Sequence, residues 1–395
     1  MRDISFKLYK MKFNSKAFAT LIAIGLVSCG GAKDKQAQTP EEICQQMGFA
    51  WNLGNHFDSN VNGRNLNPAT VRYWDGATST EELYKNLAAN GVKTVRIPVT
   101  WGPWESAAPD YTINSEFIEV VRQNVHWAKD NGLSVIINLH HDEYWLDIYN
   151  ATLNDSVNQA IMQRIERTWN QVATAFKDEG HYLFLETFNE VHAKTRGMED
   201  WSGAWARSEV KSLEIMNLWN ALAVRTIRET GGVNATRWIV LNGYAGNPGL
   251  TMDFLKIPAD AANRLMVSVH TYSPVDFTLE DRRETWGVGD RKEADEREII
   301  NLFRNLNEKY TSKGIPVYLG EFGCDAHRTE EGEACRLHYL TLIAQEAKKA
   351  NIPVVIWDNG QPGAGAEHHA YFNHNNGAIV PGSEKIIESL AGIYK

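Results

Sequence analysis

The chain has 395 residues, 43% of them hydrophobic, enough for one large domain or two ordinary ones around a real core. Its formal charge is −9; residues 1–28 hold Arg2, Lys7, Lys10, Lys12 and Lys16 against Asp3, a net +4, so the remainder stands at −13. That balance excludes nucleic acid as an expected partner, because phosphate binding leans on Lys and Arg.

The N-terminus reads as a targeting segment. Lys12 and Lys16 precede an apolar run from Ala17 to Val27, which is too short to span a bilayer and suits the apolar core of a signal peptide. The run closes on Leu26-Val27-Ser28-Cys29 and Gly30-Gly31. This ending resembles a bacterial lipobox, in which the cysteine is lipidated. The expected layout is a lipoprotein signal peptide over 1–28, a polar tether over 29–38 and one catalytic-size domain over 39–395. Membrane contact is then expected only through lipid on Cys29, in an exported lipoprotein of the outer membrane, cell surface or periplasm. Cys44, Cys324 and Cys335 remain, an odd number that allows one disulfide at most. Both a Cys324–Cys335 bridge and three free thiols fit.

The folded domain is expected to start at Thr39-Pro40-Glu41-Glu42. Thr39 is placed to cap a helix, Pro40 to occupy its first turn and Glu42 to close a capping box. A short apolar run followed by a longer helical pattern then recurs eight times. The strands fall at 49–54, 92–98, 133–140, 183–189, 237–243, 265–271, 315–321 and 352–358. Between them, Ile118, Val121, Val125 and Ala128, and likewise Ile299, Leu302, Phe303, Leu306 and Tyr310, repeat at helical period. Glycines such as Gly91, Gly132 and Gly314 follow the helices as stop signals. Eight such units predict an α/β fold of the (β/α)8 TIM barrel type in a single domain. A doubly wound open sheet is the rival, but no phosphate-cradling Gly-x-Gly-x-x-Gly follows an early strand. Pro98 cannot sit in a central ladder, so it is placed at a strand end or a bulge.

Active sites of such barrels form at the C-terminal strand ends. The predicted tips carry Asn55 and His56, then Arg96, then His140 to Glu143. They continue with Asn189 and Glu190, Asn242 and Tyr244, His270 and Tyr272, Glu321, and Trp357 to Asn359. Two glutamates, Glu190 and Glu321, end the fourth and seventh hydrophobic runs. Hydrolysis of a glycoside needs one carboxyl to protonate the leaving oxygen and a second carboxylate on the opposite face.

These tips lie in Trp51-Asn52-Leu53-Gly54-Asn55, Thr94-Val95-Arg96-Ile97-Pro98, Asn138-Leu139-His140-His141, Phe188-Asn189-Glu190, His270-Thr271-Tyr272, Gly320-Glu321-Phe322 and Trp357-Asp358-Asn359-Gly360. In that order they resemble glycoside hydrolase family 5, retaining enzymes that cut β-1,4-linked glycans, and the endoglucanase and xyloglucanase branch in particular. Many members carry Pro after the acid glutamate, where this chain has Val191-His192. The resemblance implies Glu190 as acid/base and Glu321 as nucleophile. Arg96 and Tyr272 would hold Glu321, Asn189 would bind the sugar 2-hydroxyl, and His140 and His270 would order the carboxylates. Ionised Glu321 would raise the Glu190 carboxyl, keeping it protonated for the first step. Asn55, His141, Trp145, Trp357 and Asn359 would contact a β-glucan substrate. No cofactor and no metal are implied, and a monomer is expected.

Thirteen Trp is a high count, and most are expected in loops as binding surface outside the core. Trp74, Trp104, Trp145, Trp201, Trp205 and Trp286 are the loop candidates for sugar stacking. Trp127, Trp169 and Trp219 lie in helical patterns and are expected to pack. The His140-His141-Asp142-Glu143 run suggests a metal hydrolase as a rival. Adjacent residues of one strand face apart, which argues against shared ligation of an ion. A catalytically silent glycan-binding lipoprotein is the second rival.

Overall fold

Eight parallel strands close on themselves in the computed structural model, which describes residues 38–60, 66–68, 70–195 and 197–395. The expected signal peptide, the lipidation residue Cys29 and the tether up to residue 37 lie outside the described residues. The strands are β1 (Phe49–Asn52), β2 (Thr94–Ile97), β3 (Ser134–Asn138), β4 (Leu183–Glu186), β5 (Ile239–Asn242), β6 (Leu265–Thr271), β7 (Val317–Phe322) and β8 (Val354–Ile356). Each pairs with its sequence neighbours, and β8 returns to β1 through Phe49 and Val354. A helix follows every strand, from Glu81–Ala89 after β1 to Glu384–Ile393 after β8. This is the expected (β/α)8 barrel. Most strands are shorter than the hydrophobic runs that announce them, and Pro98 sits one residue past β2.

The interior is built in layers, because alternate residues of each strand point inward. Ala50, Ile136, Phe184, Val240, Met266, Tyr318 and Val355 form one buried cluster, joined at the base by Ile43, Cys44 and Met47 of helix Pro40–Met47. That helix carries the expected capping box between Thr39 and Glu42. Burying each large apolar side chain of this plug contributes roughly 1.5–3 kcal/mol. Two residues further along their strands stand Asn52, Asn138, Glu186, Asn242 and Ser268, all fully buried. The barrel is therefore apolar below and polar above, and the polar layer is the floor of the site.

One irregularity serves that floor. Val269 pairs with Leu319, but the next residue, His270, pairs with Glu321, so Gly320 is an extra residue in β7. The ladder to β8 skips at the same point. A bulge re-aims the side chains after it, and here it sets Glu321 across from His270. Glycine is required: a Cβ at residue 320 would lie 2.5 Å from Ser268 Oγ and 2.8 Å from His270 Nε2. The bulged carbonyl accepts from Asn52 Nδ2 at 3.0 Å.

Cys44, Cys324 and Cys335 are all free and buried, so of the two readings for these three the one without a bridge holds.

Candidate active site

Arg96 organises the centre. Its guanidinium is fully buried and uses every nitrogen. Nε donates to Glu186 Oε2 at 2.7 Å, Nη1 to Glu321 Oε1 at 2.8 Å and to Asn52 Oδ1 at 3.0 Å, and Nη2 to Asn189 Oδ1 at 2.8 Å. The rigid fork of arginine suits such convergent acceptors. Burial opposes its charge, but the carboxylates of Glu186 and Glu321 more than offset that and keep it protonated.

Glu186 was not among the predicted site residues. It takes further bonds from Tyr318 Oη at 2.5 Å, Asn138 Nδ2 at 2.9 Å and Asn242 Nδ2 at 3.2 Å. The hydrophobic run through 183–189 hides it, since β4 ends at Glu186 and Asn189 and Glu190 lie on the turn beyond. The available signal was a lone carboxylate two residues past the inward Phe184, in a strand otherwise apolar.

Glu190 and Glu321 meet above this floor. One carboxylate oxygen of each, with a His270 ring nitrogen, lie within 4.8 Å of one another. His270 Nδ1 is 2.7 Å from Glu190 Oε1 and 3.8 Å from Glu321 Oε1. Tyr272 Oη donates to Glu321 Oε2 at 3.1 Å. His140 stands back, with Nε2 4.0 Å from Glu321 Oε1 and 3.9 Å from Asp58 Oδ2, while its Nδ1 is 3.1 Å from Asn138 Nδ2. Burial keeps both His140 and His270 below the ordinary imidazole range, so both are neutral.

Burial also raises the Glu190 carboxyl, to about 7; His192 works against this and Glu143 with it. The expectation that ionised Glu321 supplies the shift is therefore corrected: desolvation is the leading cause. Glu321 is raised too, by burial first and also by the charge on Glu190, against His270 and Arg96.

Around the pair, Trp357 lies parallel to the His140 ring at 5.9 Å. Its loop must pass close to β1: a Cβ on Gly54 would come within 2.8 Å of that indole. Asn55 is partly exposed with a left-handed backbone (φ 59°), and His141 sits 3.8 Å from Glu143 at the rim. Two predicted contacts are corrected. Trp145 is only 8% exposed; its Nε1 donates to Asp142 and the Arg164 guanidinium covers its ring, so it packs instead of facing a sugar. Asn359 is spent inside its own loop, donating to Glu367 O and accepting from the backbone N–H of Gln361 and His369.

Most tryptophans are buried, where most were expected in loops as binding surface; Trp169 and Trp219 pack as expected, and Trp127 is half-buried against the core. Trp51, Trp101, Trp104, Trp145, Trp169, Trp219, Trp238, Trp286 and Trp357 are buried. Trp104 stacks on Phe117, Trp286 packs on Tyr339, and half-buried Trp205 leans on Tyr149. Trp74 and Trp201 remain, 49% and 47% exposed. Trp74 stands beside His141 and Trp201 beside His192, whose Nδ1 approaches the Glu190 carbonyl at 2.5 Å. These two indoles offer faces on which a sugar ring can stack.

Three groups of metal-ligand type occur among the described residues: Asp58, His140 and His141; Glu190, His270 and Glu321; and Asp281, Glu284 and His327. The first corrects the argument that His140 and His141 must diverge. Both follow the end of β3, outside its pleat, and their rings touch edge to face at 4.5 Å.

Comparison with known proteins places the chain in a defined neighbourhood. Residues 54–363 match the cellulase family, glycosyl hydrolase family 5. The chain is 30% identical to endoglucanase A of Paenibacillus barcinonensis over 94% of both chains. A broad-specificity endoglucanase from Bacteroides salanitronis superposes with a TM-score of 0.83 at 35% identity, covering 91% of this chain and 96% of that one. A family 5 xyloglucanase from Paenibacillus pabuli superposes with a TM-score of 0.78 at 30% identity, covering 89% and 100%.

Proposed function

The chain belongs to glycosyl hydrolase family 5, and from that premise we propose that it is a retaining endo-β-1,4-glucanase with Glu321 as nucleophile and Glu190 as acid/base. The observation that carries this reading is the approach of the two carboxylates to within 4.8 Å. A spacing of about 5–5.5 Å suits direct attack by a carboxylate, whereas about 6.5–9.5 Å leaves room for a water beneath the sugar. The pair shares one proton. Glu321 has a guanidinium at 2.8 Å and a phenol at 3.1 Å, both of which favour its ionised form, whereas Glu190 has a neutral imidazole. The proton therefore belongs to Glu190.

In the first step Glu321 attacks the anomeric carbon as Glu190 gives its proton to the departing oxygen, leaving a glycosyl ester on Glu321. Esterification removes the charge beside Glu190, which can now take a proton from water as that water attacks the same carbon. Asn189 has its carbonyl oxygen held by Arg96, which leaves its amide N–H groups to serve the sugar 2-hydroxyl. The indoles of Trp74 and Trp201 are exposed on different loops, after β1 and after β4, and two separate stacking faces suit a polymer cut internally.

The substrate class is tested on soluble carboxymethylcellulose, mixed-linkage glucan, xyloglucan, mannan and xylan. Reducing ends should appear on the β-1,4-glucans, with an early fall in viscosity, and should persist in the presence of a chelator. Release from mannan or xylan alone, or from none, would contradict the proposal. A second test is the pH dependence of kcat/KM. Its basic limb should fall near 7 as Glu190 loses its proton, and its acidic limb should mark protonation of Glu321. A profile flat from pH 6 to 9 would remove Glu190 as the acid.

The Leu26-Val27-Ser28-Cys29 ending supports export with a lipid on Cys29. Expressed in a bacterium fed radiolabelled palmitate, the wild-type chain should take up label and partition to membranes. Cys29→Ala should do neither; equal labelling of the two would refute the anchor.

A further inference from the structure

A second cluster of ligand atoms lies away from the catalytic carboxylates, between the segment that follows β6 and the segment that follows β7. Asp281, Glu284 and His327 each bring one ligand-type atom to within 4.8 Å of the others. His327 is the informative member. It is only 5% exposed, and its Nδ1 has no hydrogen-bond partner; Glu284 Oε2 stands 3.8 Å away. A buried imidazole nitrogen without a partner is costly unless something occupies it. The ring is also fixed. Phe277 stacks on it at 4.6 Å, and its other nitrogen, Nε2, is 3.7 Å from Cys324 Sγ. Nδ1 thus faces Glu284, and an Asp281 oxygen lies in the same cluster.

The surroundings support ligation. Glu284 is oriented through its other oxygen, which accepts from Thr329 N at 3.1 Å and Thr329 Oγ1 at 2.6 Å. Such outer bonds fix ligands in metal sites. The His327 backbone N–H is held by Glu333 Oε1 at 2.6 Å. Asp281 is paired with Arg328, whose side chain is 59% exposed, so the pair forms at the surface, where water can take over the guanidinium.

We infer that Asp281, Glu284 and His327 form a structural site for a divalent transition cation, separate from the catalytic pair. The chemistry selects the class: imidazole favours zinc-like ions over calcium or magnesium, and two carboxylates balance a charge of +2. Ligand atoms around tetrahedral zinc stand roughly 3.3 Å apart for bonds of about 2.0 Å, so Asp281 and Glu284 close on the fixed imidazole. The bound ion ties the segment beginning at Tyr272 to the one that follows Glu321, and so braces one wall of the cleft.

The test uses the tag-free chain stripped with EDTA and titrated calorimetrically with zinc chloride. One site per chain is expected, with a rise in Tm and unchanged hydrolysis of a soluble glucan. His327→Ala should weaken binding at least tenfold and abolish the rise in Tm. Glu284→Gln, which keeps the bonds from Thr329, should do the same should His327→Ala fold poorly. No zinc binding, binding retained in both variants, or hydrolysis inhibited with the midpoint of binding would overturn the site. The last result would place the ion on Glu190, His270 and Glu321.

Discussion

Glu321→Ala is expected to lower kcat on a soluble β-1,4-glucan by about 10,000-fold or more, because no other group can bond to the anomeric carbon. Glu190→Ala should cost about 100- to 10,000-fold, the usual worth of a general acid. Neither should unfold the barrel. Each change removes a carboxylate that is raised by burial, and Arg96 keeps Glu186 as its partner in both. The two losses differ in kind, and azide separates them on an aryl glycoside with a good leaving group. In Glu321→Ala, azide can enter the space left by the nucleophile and give the α-glycosyl azide. In Glu190→Ala the ester on Glu321 still forms, and azide displaces it to give the β-glycosyl azide. The opposite pattern would exchange the two roles, and wild-type turnover in either variant would end the assignment.

The second large effect belongs to Arg96. Arg96→Leu leaves Glu186 and Glu321 buried without their cation, and breaking a buried pair in this way costs about 3–5 kcal/mol. The urea midpoint should fall accordingly, and activity should be lost. Arg96→Lys separates charge from geometry. Lysine keeps the charge but cannot reach Glu186, Glu321, Asn52 and Asn189 together, so kcat should drop while stability suffers less. Glu186→Gln completes the series. It leaves the bond to Glu321 intact and loosens the far side of the fork, so kcat should fall with KM nearly unchanged. Wild-type kcat in Arg96→Lys and Glu186→Gln together would show that the floor network does not position the nucleophile.

The barrel and the meeting of Glu190 with Glu321 were legible because strand tips and helical periods leave local marks. Apolar runs ending in Asn189-Glu190 and Gly320-Glu321 mark the tips directly, and Arg96 and Tyr272 sit where those tips need them. What was not legible depends on register and packing. The extra residue at Gly320 shows only once β7 is paired with β6, yet it sets Glu321 opposite His270. Glu186 was absorbed into a run that looked uniformly apolar. Indoles assigned to binding proved mostly to be core, since a tryptophan in a loop is spelled the same whether the loop folds over it or not. Trp74 and Trp201 differ from Trp145 and Trp286 only by what surrounds them. Asn359 was misread for a similar reason, because a tight loop consumes its amide.

The most direct measurement of the account is the anomeric configuration of the first product. Proton NMR of a soluble cello-oligosaccharide, with enough enzyme to outrun mutarotation, should show the β-anomer first, with the α-anomer rising only at the spontaneous rate. An α-anomer formed first would mean that water, and not Glu321, attacks the sugar.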